Sequence, residues 1–377
     1  MATRTTQDER ARYDAEALRT LVEHIYRSYG FDDADSRIIA DSLIFTDLHG
    51  IDSHGVQRLS MYDRKMSRGK VRVHAKPEVV RQTPVSAVID AHFAMGQLTG
   101  AKAMELAIEK ASTSGIGMVV ARRSNHYGAA GYYASMAADK GLIGISMTNT
   151  TPGVLPLNAV QPFLGTNPIA FAVPADPHPF FFDAATSCVA AGKVELYAKK
   201  HEPLPATWLV DRQYRTVTDA EAAVPKMDAK TGEIGLVPLG GVEETTGGHK
   251  GYGFSLIVEF LTGILAQGDT SADSKEQDNN TALCHSFIAI DPALFADADA
   301  IRRSFSAYLD RIRALPAVAG RTIYIHGDKE QIAYVDRSAH GIPLYEQTVD
   351  EIRAIARRFA LDDAALTPLT ANDERTR

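Results

Sequence analysis

Short apolar runs alternate with amphipathic stretches from about residue 75 onward, and this rhythm constrains the fold most strongly. Compact apolar runs are typical of buried strands, whereas apolar residues at three- and four-residue spacing are typical of helices. The predicted strands are 116–121, 142–147, 169–173, 180–182 and 287–290. The predicted helices between them are 98–112, 129–140 and 252–266. This alternation predicts an α/β or mixed α+β domain around a sheet.

The two ends of the chain have a helical pattern instead. Three amphipathic segments precede residue 75, the second over 36–48 and the third from about Ser53 to Gly69. Later helices are predicted at 298–315 and 349–360, separated by a strand at 322–325. We therefore expect a helical domain formed by residues 12–75 with 296–365, a sheet domain over 76–295 and a flexible tail over 366–377.

Two further expectations concern burial. The helix predicted at 252–266 is expected to bury its apolar side chains, which are Phe254, Ile257, Val258, Leu261 and Leu265. The polar segments 221–246 and 268–281 are expected to be irregular surface loops.

Charge and cysteine content exclude several classes of protein. The 377 residues include 40 Lys and Arg against 47 Asp and Glu, a net charge of -7 without a basic block. Such a chain is a poor partner for nucleic acid or an anionic membrane. Cys188 and Cys284 are too few for a disulfide framework or a multi-cysteine metal site, and no metal is predicted. Without a signal-like apolar start or a run of roughly 18–20 apolar residues, a cytoplasmic protein is expected.

Several familiar catalytic motifs are absent from the sequence. No Gly-x-Gly-x-x-Gly follows a predicted strand, and no Walker phosphate loop, His-Glu-x-x-His or Gly-x-Ser-x-Gly is present. An ordinary Rossmann domain, a zinc protease and an α/β-hydrolase are therefore disfavoured.

The segment from Asp52 to Arg58 places an imidazole and a guanidinium close together. If Ser53 caps the third helix, His54 lies in its first turn and Arg58 lies one turn later on the same face. A 2-oxo acid needs this pair, because guanidinium can bind its carboxylate in a bidentate manner while imidazole exchanges a proton with the adjacent oxygen. The structural alternative is a capped helix with a surface arginine and a histidine bonded to backbone.

Three other segments combine polar and small residues at element junctions. Residues 124–131 follow a predicted strand and include His126, which is either a ligand-binding or a structural histidine. Residues 247–253 contain four glycines and Lys250 before a helix, which suits a pyrophosphate, although a flexible loop tip is the alternative. Asp183 follows a buried phenylalanine run and either caps the next segment or holds a ribose or nicotinamide amide.

Taken in order, the motifs resemble the type 2 malate/L-lactate dehydrogenase family over roughly residues 15–360. That family includes ureidoglycolate and sulfolactate dehydrogenases, diketogulonate reductases and cyclic ketimine reductases. The matching segments are Asp52-Ser53-His54-Gly55-Val56 with Arg58, Ser124-Asn125-His126-Tyr127-Gly128, Met147-Thr148-Asn149-Thr150, Leu164-Gly165-Thr166-Asn167-Pro168, Asp183-Ala184-Ala185-Thr186-Ser187, residues 247–253 and Phe287-Ile288-Ala289-Ile290-Asp291-Pro292.

The resemblance implies a fold other than the Rossmann fold, NAD or NADP as cofactor, and a homodimer. It implies that His54 is the proton donor, supported by Ser53, and that some members use His126 for this purpose. Arg58 would bind the substrate carboxylate and Thr166 would contact the substrate. The residues implied for cofactor binding are His126, Tyr127, Gly128, Asp183, Ala184, Ala185, His249, Lys250, Gly327, Asp328 and Lys329. The last three match the family's Pro-Gly-Glu segment only in part, because the proline is replaced.

The favoured hypothesis is an NAD(P)-dependent oxidoreductase that transfers a hydride between nicotinamide and a small 2-hydroxy or 2-oxo acid of the malate or lactate type. A ureidoglycolate dehydrogenase or a cyclic ketimine reductase remains an alternative. Ketimine-reducing members tend to carry an acid at the position of Lys193, so lysine favours an oxygen substrate. A non-catalytic binding protein for a nucleotide or organic acid is the alternative from a different class. The exact acid, and the choice of NAD or NADP, are left open.

Overall fold

The computed structural model describes residues 10–227, 232–274 and 282–369. Its helices are α1 (Ala15–Ser28), α2 (Asp33–Leu48), α3 (Leu59–Ser67), α4 (Gly96–Ser114), α5 (Ala130–Ala138), α6 (Ala191–Lys199), α7 (Ala220–Ala223), α8 (Gly248–Glu259), α9 (Ala298–Arg313), α10 (Asp328–His340) and α11 (Glu346–Arg358). Its strands are β1 (Arg12–Tyr13), β2 (Glu78–Gln82), β3 (Ser86–Asp90), β4 (Ile116–Ser124), β5 (Ile143–Thr148), β6 (Ile169–Val173), β7 (Phe180–Ala184), β8 (Leu209–Asp211), β9 (Ile234–Leu236), β10 (Leu283–Ile290) and β11 (Ile342–Pro343).

The main sheet has the order β2-β3-β4-β10-β5-β6-β7. The β3–β4 pair is parallel and the other neighbours are antiparallel, so the sheet is mixed and lacks the strand order of a doubly wound dinucleotide fold. The predicted α/β class is confirmed, and so are the five predicted strands from 116–121 to 287–290.

Two helices lie unusually close to the centre of this sheet. A Cβ added to Gly117 of β4 would stand 2.1 Å from the Ala107 carbonyl oxygen, and one added to Gly144 of β5 would stand 2.1 Å from that of Ala134. Ala289 of β10 is paired in register with both glycines. This row of small residues lets the backbones of α4 and α5 lie directly on the strands, which fixes where α5 begins.

The chain termini share a second hydrophobic core. Side chains from α1, α2 and α3 pack with Ile352 and Ile355 of α11, and β1 pairs with β11. In contrast, α9 packs its Leu309 and Phe305 with Phe180 and Ile325 beside the sheet. The division into a helical domain and a sheet domain stays a prediction.

Two sequence-based predictions about elements are corrected. Residues 322–325 form no strand, because the chain turns at Gly327 (φ +105°) into α10, a helix that the periodicity did not reveal, and Asp328 accepts the Ile325 N–H. Part of 221–246 is regular, since it contains the end of α7 and β9. Residues 275–281 and 370–377, which belong to a predicted loop and to the predicted tail, lie outside the described residues.

The apolar helix near residue 252 is exposed where burial was expected. Phe254, Ile257 and Leu265 are 47%, 50% and 42% exposed, and only Val258 of the predicted set is fully buried. Helix α8 continues into a π-helical turn, Phe260–Ile264. We define the α8 apolar face as the exposed residues Phe254, Leu256, Ile257, Phe260, Ile264 and Leu265. Periodicity could not select the buried side, because apolar residues occur on more than one side of this helix. None of the described helices combines the length and apolarity needed to cross a membrane.

The close approach of α5 to the sheet predicts a stability effect. Gly144→Ala is expected to lower the free energy of unfolding by about 1–3 kcal/mol, because the opposing atom is a backbone carbonyl that cannot rotate away. Urea denaturation of the purified protein measures this change. Gly253→Ala in α8 is the matched control, since an added Cβ there has no atom within 4 Å. Equal stability of the two variants would contradict the packing argument.

Candidate active site

The segment from Asp52 to Arg58 is not the start of an α-helix, so the prediction that Ser53 caps one is wrong. Two 3-10 turns, Asp52–His54 and Val56–Arg58, precede α3. The cause is the buried carboxyl group of Asp47 in α2, which accepts the Val56 N–H at 2.7 Å and holds the chain in a tight turn. The Ser53 side chain is therefore available to bond its neighbour.

Two histidines lie side by side in this turn region. The rings of His54 and His126 are nearly parallel, with centroids 5.7 Å apart. Ser53 Oγ and His54 Nδ1 form a hydrogen bond of 2.8 Å. His126 Nδ1 is 2.7 Å from the Tyr62 hydroxyl and accepts the Gly128 N–H at 3.3 Å. Because Nδ1 of His126 is an acceptor, the neutral ring carries its proton on Nε2.

Both imidazoles are neutral near neutral pH. Burial, with a smaller contribution from the Arg58 charge, lowers the pKa of His54 to about 3. Burial also lowers the pKa of His126 well below its usual value, and the nearby His54 adds to that effect. A neutral imidazole can accept a proton or donate a hydrogen bond to an oxygen, as acid–base chemistry on a hydroxyl or carbonyl requires.

Arg58 is held between this turn and the start of α6. Its Nε donates to the Ser53 carbonyl oxygen at 2.6 Å, and its Nη1 donates to Glu195 Oε2 at 2.7 Å. A Cβ added to Gly192 would stand 1.8 Å from Nη2, so only glycine permits this position of the guanidinium. The structure thus brings Ser53, His54 and Arg58 together.

A cavity of about 640 Å³ adjoins α6. Asp183, Ala184 and Ala185 line it, as do side chains from other parts of the chain, including Phe182, Lys193, Trp208, Leu239 and Phe254. Asp183 accepts the Gly131 N–H of α5 at 2.7 Å, and burial raises the pKa of its carboxyl to about 6. Asp183 therefore joins the helix that follows His126 to the wall of the cavity.

Three further predicted site residues, Thr166, Tyr127 and Gly128, lie in different places. The Thr166 carbonyl accepts hydrogen bonds from the N–H and hydroxyl of Thr186, a residue that lines the cavity. Gly128 contacts His126 through its N–H. The side chain of Tyr127 is buried in the sheet core, where its ring stacks on His285 with centroids 4.5 Å apart.

The glycine-rich turn places a histidine and a lysine at the start of α8. His249 and Lys250 are exposed after Gly247, which has φ +92°. Gly251 of the same helix contacts the backbone of Leu239, and both Leu239 and Phe254 line the large cavity. This turn therefore lies beside the cavity.

Gly327, Asp328 and Lys329 lie near the other end of β7. Gly327 contacts Pro179 and Phe181 and lines a second cavity of about 310 Å³, together with Phe45 and His49. The Asp328 carboxylate pairs with Arg313 at 2.7 Å and with His178 at 3.0 Å. Lys329 stands over the ring of Tyr324. The structure does not bring this segment to the large cavity.

Sequence reasoning missed Glu195, Tyr62 and Asp47. Glu195 is 137 residues from Arg58, so no local pattern could reveal the ion pair. Tyr62 follows the helical spacing of an ordinary core residue, and its bond to His126 depends on the tertiary fold. Asp47 is three residues before Gly50, near the end of the predicted helix, where a buried acid signals a specific partner.

The residues at the large cavity suit a nicotinamide dinucleotide. Aromatic and aliphatic walls accept a flat ring, the Asp183 carboxyl can bond an amide or a ribose hydroxyl, and Lys250 provides charge for phosphates beside it. The volume is within the usual range for a small-molecule site. Within the described ranges, no group of three or more His, Cys, Asp and Glu side chains could hold a metal ion.

Comparisons with known proteins identify the family. The family model described as malate/L-lactate dehydrogenase matches residues 13–353. A malate dehydrogenase of Pyrococcus horikoshii is 39% identical over 353 residues, covering 93% of this chain and 96% of that protein. A malate/(S)-sulfolactate dehydrogenase of Methanothermus fervidus is 33% identical over 92% of this chain and 98% of its own length.

The fold comparison gives the same result. The crystal structure of a malate dehydrogenase from Entamoeba histolytica superposes with a TM-score of 0.91 at 31% identity, and the match covers 94% of this chain and 99% of that one. The resemblance seen in the motifs is thereby confirmed. The chain belongs to the malate/L-lactate dehydrogenase family and is a dehydrogenase.

Proposed function

We propose that this dehydrogenase uses NAD or NADP to interconvert a small 2-hydroxy acid and its 2-oxo acid, with malate and oxaloacetate as the first pair to test. The observation that carries the proposal is the buried Arg58 guanidinium beside the neutral His54 and His126 rings. The malate dehydrogenases named among the relatives support the choice of a dicarboxylic acid.

The hydrogen bonds of each residue indicate its role in the reaction. Arg58 binds the substrate carboxylate. Ser53 orients His54 because its Oγ accepts a hydrogen bond from the Nδ1–H of that ring. Nε2 of His54 then accepts the hydroxyl proton during oxidation and returns it during reduction. Neutral His126 carries a proton on Nε2, so it donates a hydrogen bond to the reacting oxygen instead of accepting a proton. The nicotinamide, when bound, supplies or accepts the hydride.

Lys193 favours oxygen substrates over imines. Its side chain lines the large cavity, and its ammonium stands 5.9 Å from the centre of the Trp208 ring. A cation at this place disfavours a protonated imine, because like charges repel. A panel containing 2-oxo acids, ureidoglycolate and a cyclic ketimine, each with both nicotinamides, tests this preference and identifies the cofactor.

We also propose that the protein is a homodimer in which a second copy covers the α8 apolar face. Six large apolar side chains along α8 and its π-helical turn are exposed in the single chain, and monomers rarely expose large apolar patches. A two-fold interface would bury the face against itself or against a neighbouring surface of the second copy. The cytoplasmic location expected from the sequence stays a prediction.

Loss of the proposed base is expected to slow turnover. His54→Ala should lower kcat for malate oxidation by about 100-fold or more, the usual size of general-base assistance. Absorbance of the reduced nicotinamide measures the rate. His24→Ala, on the exposed side of α1, is the control and should leave kcat unchanged. Full turnover in His54→Ala would remove His54 from the mechanism.

Displacing the guanidinium is expected to weaken substrate binding. Gly192→Ala pushes Arg58 Nη2 out of its position, and Arg58→Lys replaces the planar fork with a single ammonium. Both variants should raise KM for the 2-oxo acid about tenfold or more. Arg64→Lys, at an exposed position of α3, serves as the control. An unaltered KM in both site variants would refute the assignment of Arg58.

The proposed dimer is tested by solution mass. Light scattering after size-exclusion chromatography should give twice the chain mass of 40.9 kDa for the wild type. Ile257→Asp should give a monomer, because an unpaired carboxylate in an apolar interface is costly. Ile332→Asp, an exposed apolar position of α10, is the control and should remain dimeric. A monomeric wild type would contradict this proposal.

A further inference from the structure

We propose that Glu195 is an internal carboxylate that occupies Arg58 until a substrate carboxylate displaces it, and that this exchange sets the affinity of the site for organic acids. The inference rests on the proposed function, because it assumes that Arg58 binds the substrate. It assigns to Glu195 a role in substrate affinity and specificity, separate from any contact with the reacting atoms.

The two members of the ion pair differ in their freedom to move. The Arg58 side chain is 10% exposed, whereas that of Glu195 is 43% exposed. Arg58 is further fixed by its bond to the Ser53 carbonyl and by its contact with Gly192. If the pair opens, Glu195 is therefore the partner that can turn into solvent.

The geometry of the guanidinium makes opening necessary. A carboxylate binds in a bidentate manner along one of two edges, either Nη1 with Nη2 or Nε with Nη2. The first edge is used by Glu195 at Nη1, and the second is used by the Ser53 backbone at Nε. The backbone carbonyl cannot leave without unfolding the turn, so a bidentate substrate must replace Glu195.

Helix α6 itself is anchored, which confines the exchange to a side chain. Lys199 in its last turn pairs with Glu351 of α11 at 3.3 Å and bonds the Thr348 hydroxyl. The side-chain bonds of Glu195 can rotate without a shift of this helix. Substrate binding then exchanges one carboxylate for another on the same nitrogen.

This arrangement has a consequence for specificity. A buried guanidinium without a counter-charge is unfavourable, so Glu195 stabilises the empty site. A ligand without a carboxylate cannot compensate for the lost ion pair and leaves Glu195 in place. The site therefore selects acids over neutral carbonyl compounds, at the cost of weaker binding for the acids themselves.

Binding of oxalate to the full-length protein tests the exchange. Trp208 is the only tryptophan in the chain and its ring packs on Tyr197 of α6, with centroids 5.0 Å apart, so its fluorescence can follow binding. We expect Glu195→Gln to lower the Kd for oxalate about fivefold, the scale of a partly exposed ion pair. KM for the 2-oxo acid should fall in parallel while kcat is kept.

A shorter acidic side chain at position 195 distinguishes displacement of the carboxylate from Arg58 from simple charge repulsion of the ligand. Glu195→Asp keeps the charge but withdraws the carboxylate from Nη1, so displacement predicts tighter oxalate binding here also. Glu202→Gln removes a charge just beyond α6 and should behave as the wild type. Oxamide, which is uncharged, should gain nothing from either Glu195 variant.

The outcomes distinguish this inference from the proposed function. The role of Glu195 is overturned if Glu195→Gln binds oxalate no more tightly than the wild type, or if Glu195→Asp leaves the Kd unchanged. In that case, wild-type turnover of 2-oxo acids would still support the dehydrogenase function. If neither wild type nor variant binds oxalate or consumes reduced nicotinamide with any 2-oxo acid, the proposed function fails and the inference fails with it.

Discussion

The candidate site depends on the placement of one buried positive charge. Arg58 joins its own turn to the start of α6, because its Nε bonds the Ser53 carbonyl, its Nη1 bonds Glu195, and its Nη2 contacts Gly192. The side chain of Asp47 accepts the Val56 N–H and thereby fixes the turn that carries Ser53. Burial, with a smaller contribution from this guanidinium, lowers the pKa of the adjacent His54, and the guanidinium itself presents a fixed point for an anion.

The sheet supplies the other half of the site. Gly117 and Gly144 let α4 and α5 approach the central strands closely, and the start of α5 reaches Asp183 through the Gly131 N–H. The strand that ends at Asp183 and Ala184 forms a wall of the large cavity. Helix packing on the sheet therefore determines how the segment after His126 lies relative to that cavity.

Much of this arrangement could be predicted from the sequence, and the exceptions have physical reasons. Strands and family motifs are local patterns, so the central strands and the pairing of His54 with Arg58 were accessible. The 3-10 turns before α3 were not, because a carboxylate from α2 imposes them. Glu195 is hidden by its distance along the chain. The exposure of the α8 apolar face is not predictable, because apolar periodicity does not distinguish the buried sides of a helix from an exposed apolar side.

A crystal structure with reduced nicotinamide dinucleotide and oxamate bound tests the central claim most directly. The account predicts the oxamate carboxylate on Arg58 Nη1 and Nη2, its amide oxygen within hydrogen-bonding distance of Nε2 of His54 or His126, and the nicotinamide ring against the wall formed by Asp183, Ala184 and Ala185. An oxamate bound away from Arg58, or a dinucleotide outside that cavity, would contradict it.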